Sequence, residues 1–133
     1  MAIHPEPRLA CEVDLAFSAA DFSETFYGGW LADRMSVNID ARLMQLDLDS
    51  ILEPFVNRPG KQWWAGEHVG KYLHAATFAW RFTGREDLLS RIEYVVDTLI
   101  GTQQEDGYLG TYAPEDQFAE GDGLGWDGPV WDV

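Results

Sequence analysis

The chain has 133 residues, with 9 Lys+Arg against 23 Asp+Glu, a formal net charge of −14, and 46% apolar side chains. The charge excludes a partner that needs clustered Lys and Arg, nucleic acid or an anionic membrane surface, and the apolar share excludes a disordered acidic tail. A single cysteine, Cys11, rules out an internal disulfide framework, and no apolar run approaches the roughly 20 residues of a membrane span, so a cytoplasmic protein is expected.

Residues 1–30 read as a leader. His4 to Arg8 is punctuated by proline, Glu12 to Phe17 alternates polar and apolar residues as a short strand does, and Phe22, Phe26, Tyr27 and Trp30 surround Gly28-Gly29 in what reads as a packed loop. The first helix is expected near Ser36. Val37, Ile39, Leu43, Met44 and Leu46, then Ile51, Leu52 and Phe55, supply its apolar stripe, with Pro54 limiting it and Asn57-Arg58-Pro59-Gly60 as the breaker. A second helix is predicted over Gly66–Thr83, with Val69, Leu73, Ala76 and Trp80 at helical spacing and Gly84 as its C′ residue. A third is predicted over Glu86–Gln103, with Leu88, Ile92, Val95, Val96, Leu99 and Ile100 on its apolar face and Glu86/Asp87 favoured at its N-terminus by the helix dipole.

Thr83-Gly84-Arg85 is so short that the second and third helices must form an αα-hairpin. The second carries small and aromatic residues nearly all round, the composition of a buried inner helix, whereas the third is amphipathic and outer. Inner/outer hairpins are the unit of helical toroids. One hairpin and one preceding helix cannot close such a ring. The expected fold is therefore all-α, a partial (α/α) toroid with a short extended N-terminal segment, in which residues 31–133 form the first part of a larger domain. The end, Trp131-Asp132-Val133, is apolar and uncapped, and reads as cut rather than finished.

Charge is uneven along the chain. From Ile92 onward there are ten acidic residues and no Lys, Arg or His. In a toroid, the loop that opens an inner helix and the loop that leaves an outer helix share one rim. Trp63–His68 and Glu105–Tyr112 are expected to meet there. Aromatic faces stack on sugar rings and carboxylates accept sugar hydroxyls, so Trp64, Glu67, His68, Asp106 and Tyr108 are candidate contacts for a neutral sugar or oligosaccharide. A plainer reading stands beside this one: Glu67 in the first helical turn, paired with Lys71 at i+4, is an ordinary stabilising carboxylate. Glu67 and Asp106 are the pair to test for glycosidase chemistry, which needs two carboxylates flanking one bond. His68 and His74 lack the i, i+4 spacing of a zinc helix, and no metal site is expected. There is no P-loop, GxGxxG or G-x-S-x-G motif, and Gly121-Asp122-Gly123-Leu124-Gly125 lacks a preceding strand.

Trp64-Ala65-Gly66-Glu67-His68-Val69-Gly70-Lys71-Tyr72-Leu73-His74, followed by Thr102-Gln103-Gln104-Glu105-Asp106-Gly107-Tyr108-Leu109-Gly110-Thr111-Tyr112 and then by Trp131-Asp132-Val133, resembles the β-L-arabinofuranosidase family of glycoside hydrolases, family 127. Arg34-Met35 and Arg58-Pro59-Gly60 add to the resemblance, which runs from about Phe26 onward. It implies an (α/α) barrel followed by β-sandwich domains, hydrolysis of terminal arabinofuranosides with retention, a cysteine nucleophile, a glutamate acid/base, and a zinc held by cysteines and a glutamate. None of those catalytic or metal residues has a counterpart here, and Cys11 lies outside the resembling region. The resemblance thus implies an N-terminal piece of such an enzyme that has no catalytic residue and no cofactor of its own, is inactive alone, and self-associates through an incomplete barrel surface. Two alternatives remain open: a stand-alone helical carbohydrate-binding or scaffold module, and a fragment of another (α/α)-barrel sugar enzyme such as a uronide hydrolase or an epimerase.

Overall fold

A computed structural model describes residues 26–62 and 64–117. The elements are α1 (Gly29–Asn38), running directly into a π-helical turn (Ile39–Leu43), then α2 (Leu48–Val56), α3 (Glu67–Thr83) and α4 (Glu86–Thr102). There is no strand among the described residues, whose fold is all-α. The alternating segment Glu12–Phe17, the Trp131 end and the glycine run at 121–125 lie outside the described residues.

The hairpin forms as its sequence dictates. Gly84 takes the left-handed conformation at φ 65°, and its N–H donates to Trp80 O at 2.7 Å, which closes α3 with a single-bond αL cap. A Cβ on Gly84 would meet nothing within 4 Å, so only the backbone conformation requires glycine there. A Gly84→Ala variant is expected to lose about 1–2 kcal/mol, read as a lower urea midpoint with an unchanged slope. On the far side of the turn, the Arg85 guanidinium bonds Asp87 at 2.7 Å and reaches Asp40 in the π-helical turn, fixing the hairpin corner to the preceding element. The hydrogen bond from Arg85 holds the Asp87 carboxyl below its ordinary value. Its contribution to stability is therefore complete above that ordinary value and is lost as the pH falls through the depressed one. The pair is exposed and the effect small. Asp87→Asn should melt slightly below the parent at neutral pH and converge with it in acid.

The predicted first helix is two helices, with an earlier start. Gly28-Gly29 does not form a loop that packs: Gly29, at φ 59°, opens α1, and Phe26 (94%) and Trp30 (71%) stand in solvent. α1 buries no residue. The break falls at Met44–Asp47 because Asp47 caps α2, its carboxylate accepting from Ser50 N at 3.3 Å. Pro54 sits in the last turn of α2, which ends two residues later at Val56.

α3 lies along α4, α2 lies against both, and the π-helical turn meets α3. One cluster joins Ile39 and Leu43 with Leu48, Leu52 and Phe55 of α2, Val69, Tyr72 and Ala76 of α3, and Leu88 and Val95 of α4. Leu73, Trp80, Ile92 and Leu99 pack against it half-buried, while Val96 and Ile100, expected on the apolar face of α4, are exposed. α3 is not buried all round. Only Val69, Tyr72 and Ala76 are buried, and Ala75 and Phe78 (44%) face outward, because the described chain covers α3 on one side only. No helix among the described residues is long and apolar enough to cross a membrane.

Candidate functional site: two braced loops

The loop before α3 (57–66) and the loop after α4 (103–112) lie against each other. Arg58 makes the junction. Its Nε donates to Gly110 O at 2.6 Å and its Nη2 to Thr102 O at 2.8 Å, and its guanidinium carbon lies 5.6 Å from the centre of the Tyr108 ring. Thr102 is the last residue of α4, a helix without a basic residue in its final turn, so Arg58 supplies the missing positive charge to an orphan C-terminal carbonyl. Beside it, Gly60 N donates to Thr111 O at 2.7 Å. A Cβ at Gly60 would stand 3.1 Å from Ala65 Cβ, 3.2 Å from Pro54 Cβ and 3.3 Å from Thr111 Cβ. Ala65 and Thr111 are buried, so these neighbours have little room to yield. Gly60→Ala is expected to destabilise by about 1–3 kcal/mol through overpacking, measured by thermal or urea unfolding.

The second loop stitches itself together. Gly107 turns at φ 93°, its N–H donating to Gln104 O at 3.0 Å, while Gln104 N donates to Tyr108 O at 3.0 Å. Gln103 Nε2 donates to Gly107 O at 2.9 Å, and Asp106 Oδ1 accepts from Tyr108 N at 3.0 Å in an Asx turn. Tyr108 is 7% exposed, and its hydroxyl oxygen accepts from Tyr112 N at 3.0 Å.

The candidate sugar contacts therefore fall in different environments. Trp64 is exposed, and its carbonyl accepts from Glu67 N at 3.2 Å. Glu67, half-buried at the start of α3, pairs with Lys71 Nζ at 2.8 Å, as the plainer reading of this residue expects. His68 is exposed and lines a groove of about 450 Å³ with Ser50, Glu53, Lys61 and Gln62. Asp106 is exposed but engaged by the amide of its own loop, and Tyr108 is an internal support of that loop. Trp64, Glu67 and His68 thus stand together at the start of α3, and Arg58 holds the loop of Asp106 and Tyr108 next to that point. In the sequence Arg58 reads as a breaker residue and, with Pro59-Gly60, as part of the family resemblance, not as a brace; the signal for that role is an α4 C-terminus lacking a cation.

Among the described residues, no group of three or more His, Cys, Asp or Glu could hold a metal ion. The described residues thus offer no fit for the zinc that the resemblance implies. Cys11 lies outside the described residues.

Comparison with curated proteins and with solved structures gives no significant match. A family model described as "Beta-L-arabinofuranosidase, GH127 catalytic domain" matches residues 23–127, well over half of the chain. The match spans every described helix and both braced loops, and on it the chain belongs to the GH127 β-L-arabinofuranosidase family of glycoside hydrolases.

Proposed function

We propose that this chain is the first part of an (α/α)-toroid glycoside hydrolase, supplying one section of the sugar-binding rim and not the reaction centre. The observation that carries this reading is the open side of α3. A helix built of Gly70, Ala75, Phe78, Ala79 and Trp80 belongs inside a domain, yet Ala75 and Phe78 are exposed here. The neighbouring helices of a toroid would cover that side. The Arg58 brace supports the rim reading, since it holds the α3 start and the α4 exit loop together at one end of the hairpin, with Trp64 and His68 outward. An exposed indole beside polar groups suits a neutral sugar, whose CH-rich face stacks and whose hydroxyls find acceptors. A single cysteine suits the cytoplasm, where thiols stay reduced.

The test is direct. Purified chain is expected to release no chromophore from a chromogenic arabinofuranoside, to hold no stoichiometric zinc, and to bind a dye that reports exposed apolar surface. Turnover by this chain would overturn the assignment. A sharp melt with no dye binding would favour the stand-alone module instead.

A further inference from the structure

A second groove, of about 200 Å³, lies between the π-helical turn and α3, on residues that include Arg42, Leu46, Ile51, His68, Lys71 and Tyr72. Its chemistry runs against that of the whole chain. Acidic residues outnumber basic ones 23 to 9, yet the groove is lined by an arginine, a lysine and a histidine, and by no carboxylate. Lys71 is already engaged by Glu67 at 2.8 Å, one turn back. Arg42 has no carboxylate partner among the described residues, so it carries the uncompensated charge. The Tyr72 side chain is 4% exposed, and its hydroxyl is buried with no hydrogen-bond partner among the described residues. Native proteins keep few such groups, and each calls for a partner. The turn that presents Arg42 is π-helical, a local widening that recurs where a helix serves a ligand.

These observations are independent and converge on one ligand chemistry. Guanidinium and ammonium groups donate and never accept, and the phenol and imidazole of this groove are both able to donate. A ligand that satisfies them is rich in acceptors and negatively charged. We infer that the groove between the π-helical turn and α3 binds an oxyanion, a carboxylate or a phosphate group, on Arg42, Lys71 and the Tyr72 hydroxyl. The site adjoins the proposed sugar rim through His68 and the Glu67–Lys71 pair but does not depend on that reading.

The test titrates the full chain with inorganic phosphate and, separately, with acetate, against sodium chloride at matched ionic strength, following amide NMR shifts. The expected result is a saturable shift of resonances from residues 39–46 and 68–75 with at least one of the two anions, and none with chloride. The anion that saturates identifies the source as a phosphate or a carboxylate. Arg42→Gln and Tyr72→Phe should each weaken binding at least tenfold. Without anion, Tyr72→Phe should melt no lower than the parent, because the hydroxyl it removes bonds nothing in the protein; that separates lost binding from lost folding. Shifts no larger than those with chloride, unchanged binding by Tyr72→Phe, or a lower melting temperature for that variant would each overturn the site.

Discussion

Replacing Arg58 with alanine is expected to cost about 3 kcal/mol, close to the combined worth of two hydrogen bonds from a charged donor in a half-buried setting. The variant loses the bonds to Gly110 O (2.6 Å) and Thr102 O (2.8 Å) and the contact with the Tyr108 ring, all made by one side chain. It also leaves the last carbonyl of α4 without its cation, an interaction with the helix dipole that stabilises by a few tenths to about 1 kcal/mol. Domains of this size are stable by only about 5–15 kcal/mol, so the loss should be plain as a lower urea midpoint. Lysine should not rescue it. A compact ammonium on a flexible stem cannot span two carbonyls held by a planar fork, so Arg58→Lys is expected to recover less than half of the loss. Limited proteolysis provides the local readout: cleavage should rise first within residues 103–112, the loop that Arg58 holds. An Arg58→Ala variant with parental stability would show that Gly60 and Thr111 alone join the two loops.

The importance of Arg58 also marks the limit of what the sequence made legible. The αα-hairpin was readable because every determinant is local: the period of Val69, Ala76, Leu88 and Val95, the left-handed glycine at 84, and Glu86-Asp87 at the start of α4. The start of α1 was misread because Gly28-Gly29 among aromatics carries the signature of a loop, and a glycine at φ 59° serves a helix opening equally well. The separate identity of α2 rested on one carboxylate, Asp47, whose acceptor role shows only once Ser50 N is placed at 3.3 Å. Arg58 reaches partners 44 and 52 residues away, a pairing that no periodicity encodes. Tyr108 lay within a motif that also carries turn chemistry, and the turn decided its fate, drawing the ring beneath the loop rather than toward solvent. The composition of α3 reads as that of a helix made for burial on several sides, yet among its residues only Val69, Tyr72 and Ala76 are buried. What it did not tell is which of those sides residues 26–117 cover.

Two truncations settle which side that is. Leu88 is 0% exposed in the first turn of α4, inside the cluster joining α2, α3, α4 and the π-helical turn. Leu88→Ala should cost about 3–4 kcal/mol, the lost transfer free energy plus a cavity that four converging elements cannot close. Phe78 is chemically larger but 44% exposed, and its ring lies 4.9 Å from that of His74 on the open side of α3. Phe78→Ala should cost about 1 kcal/mol or less, since its surface is already largely in water and an aromatic pair of this kind is worth about 0.5–1.5 kcal/mol. The inequality is the result that matters, because volume alone predicts the reverse order. Should Phe78→Ala prove as damaging as Leu88→Ala, some surface covers α3 in solution. A second copy of the chain would then reveal itself through a melting temperature that rises with protein concentration in the parent and not in the variant. A small, concentration-independent effect of Phe78→Ala beside a large one of Leu88→Ala would confine the core to the side of α3 that faces α2 and α4, and would leave the opposite side uncovered, as the proposed toroid reading expects.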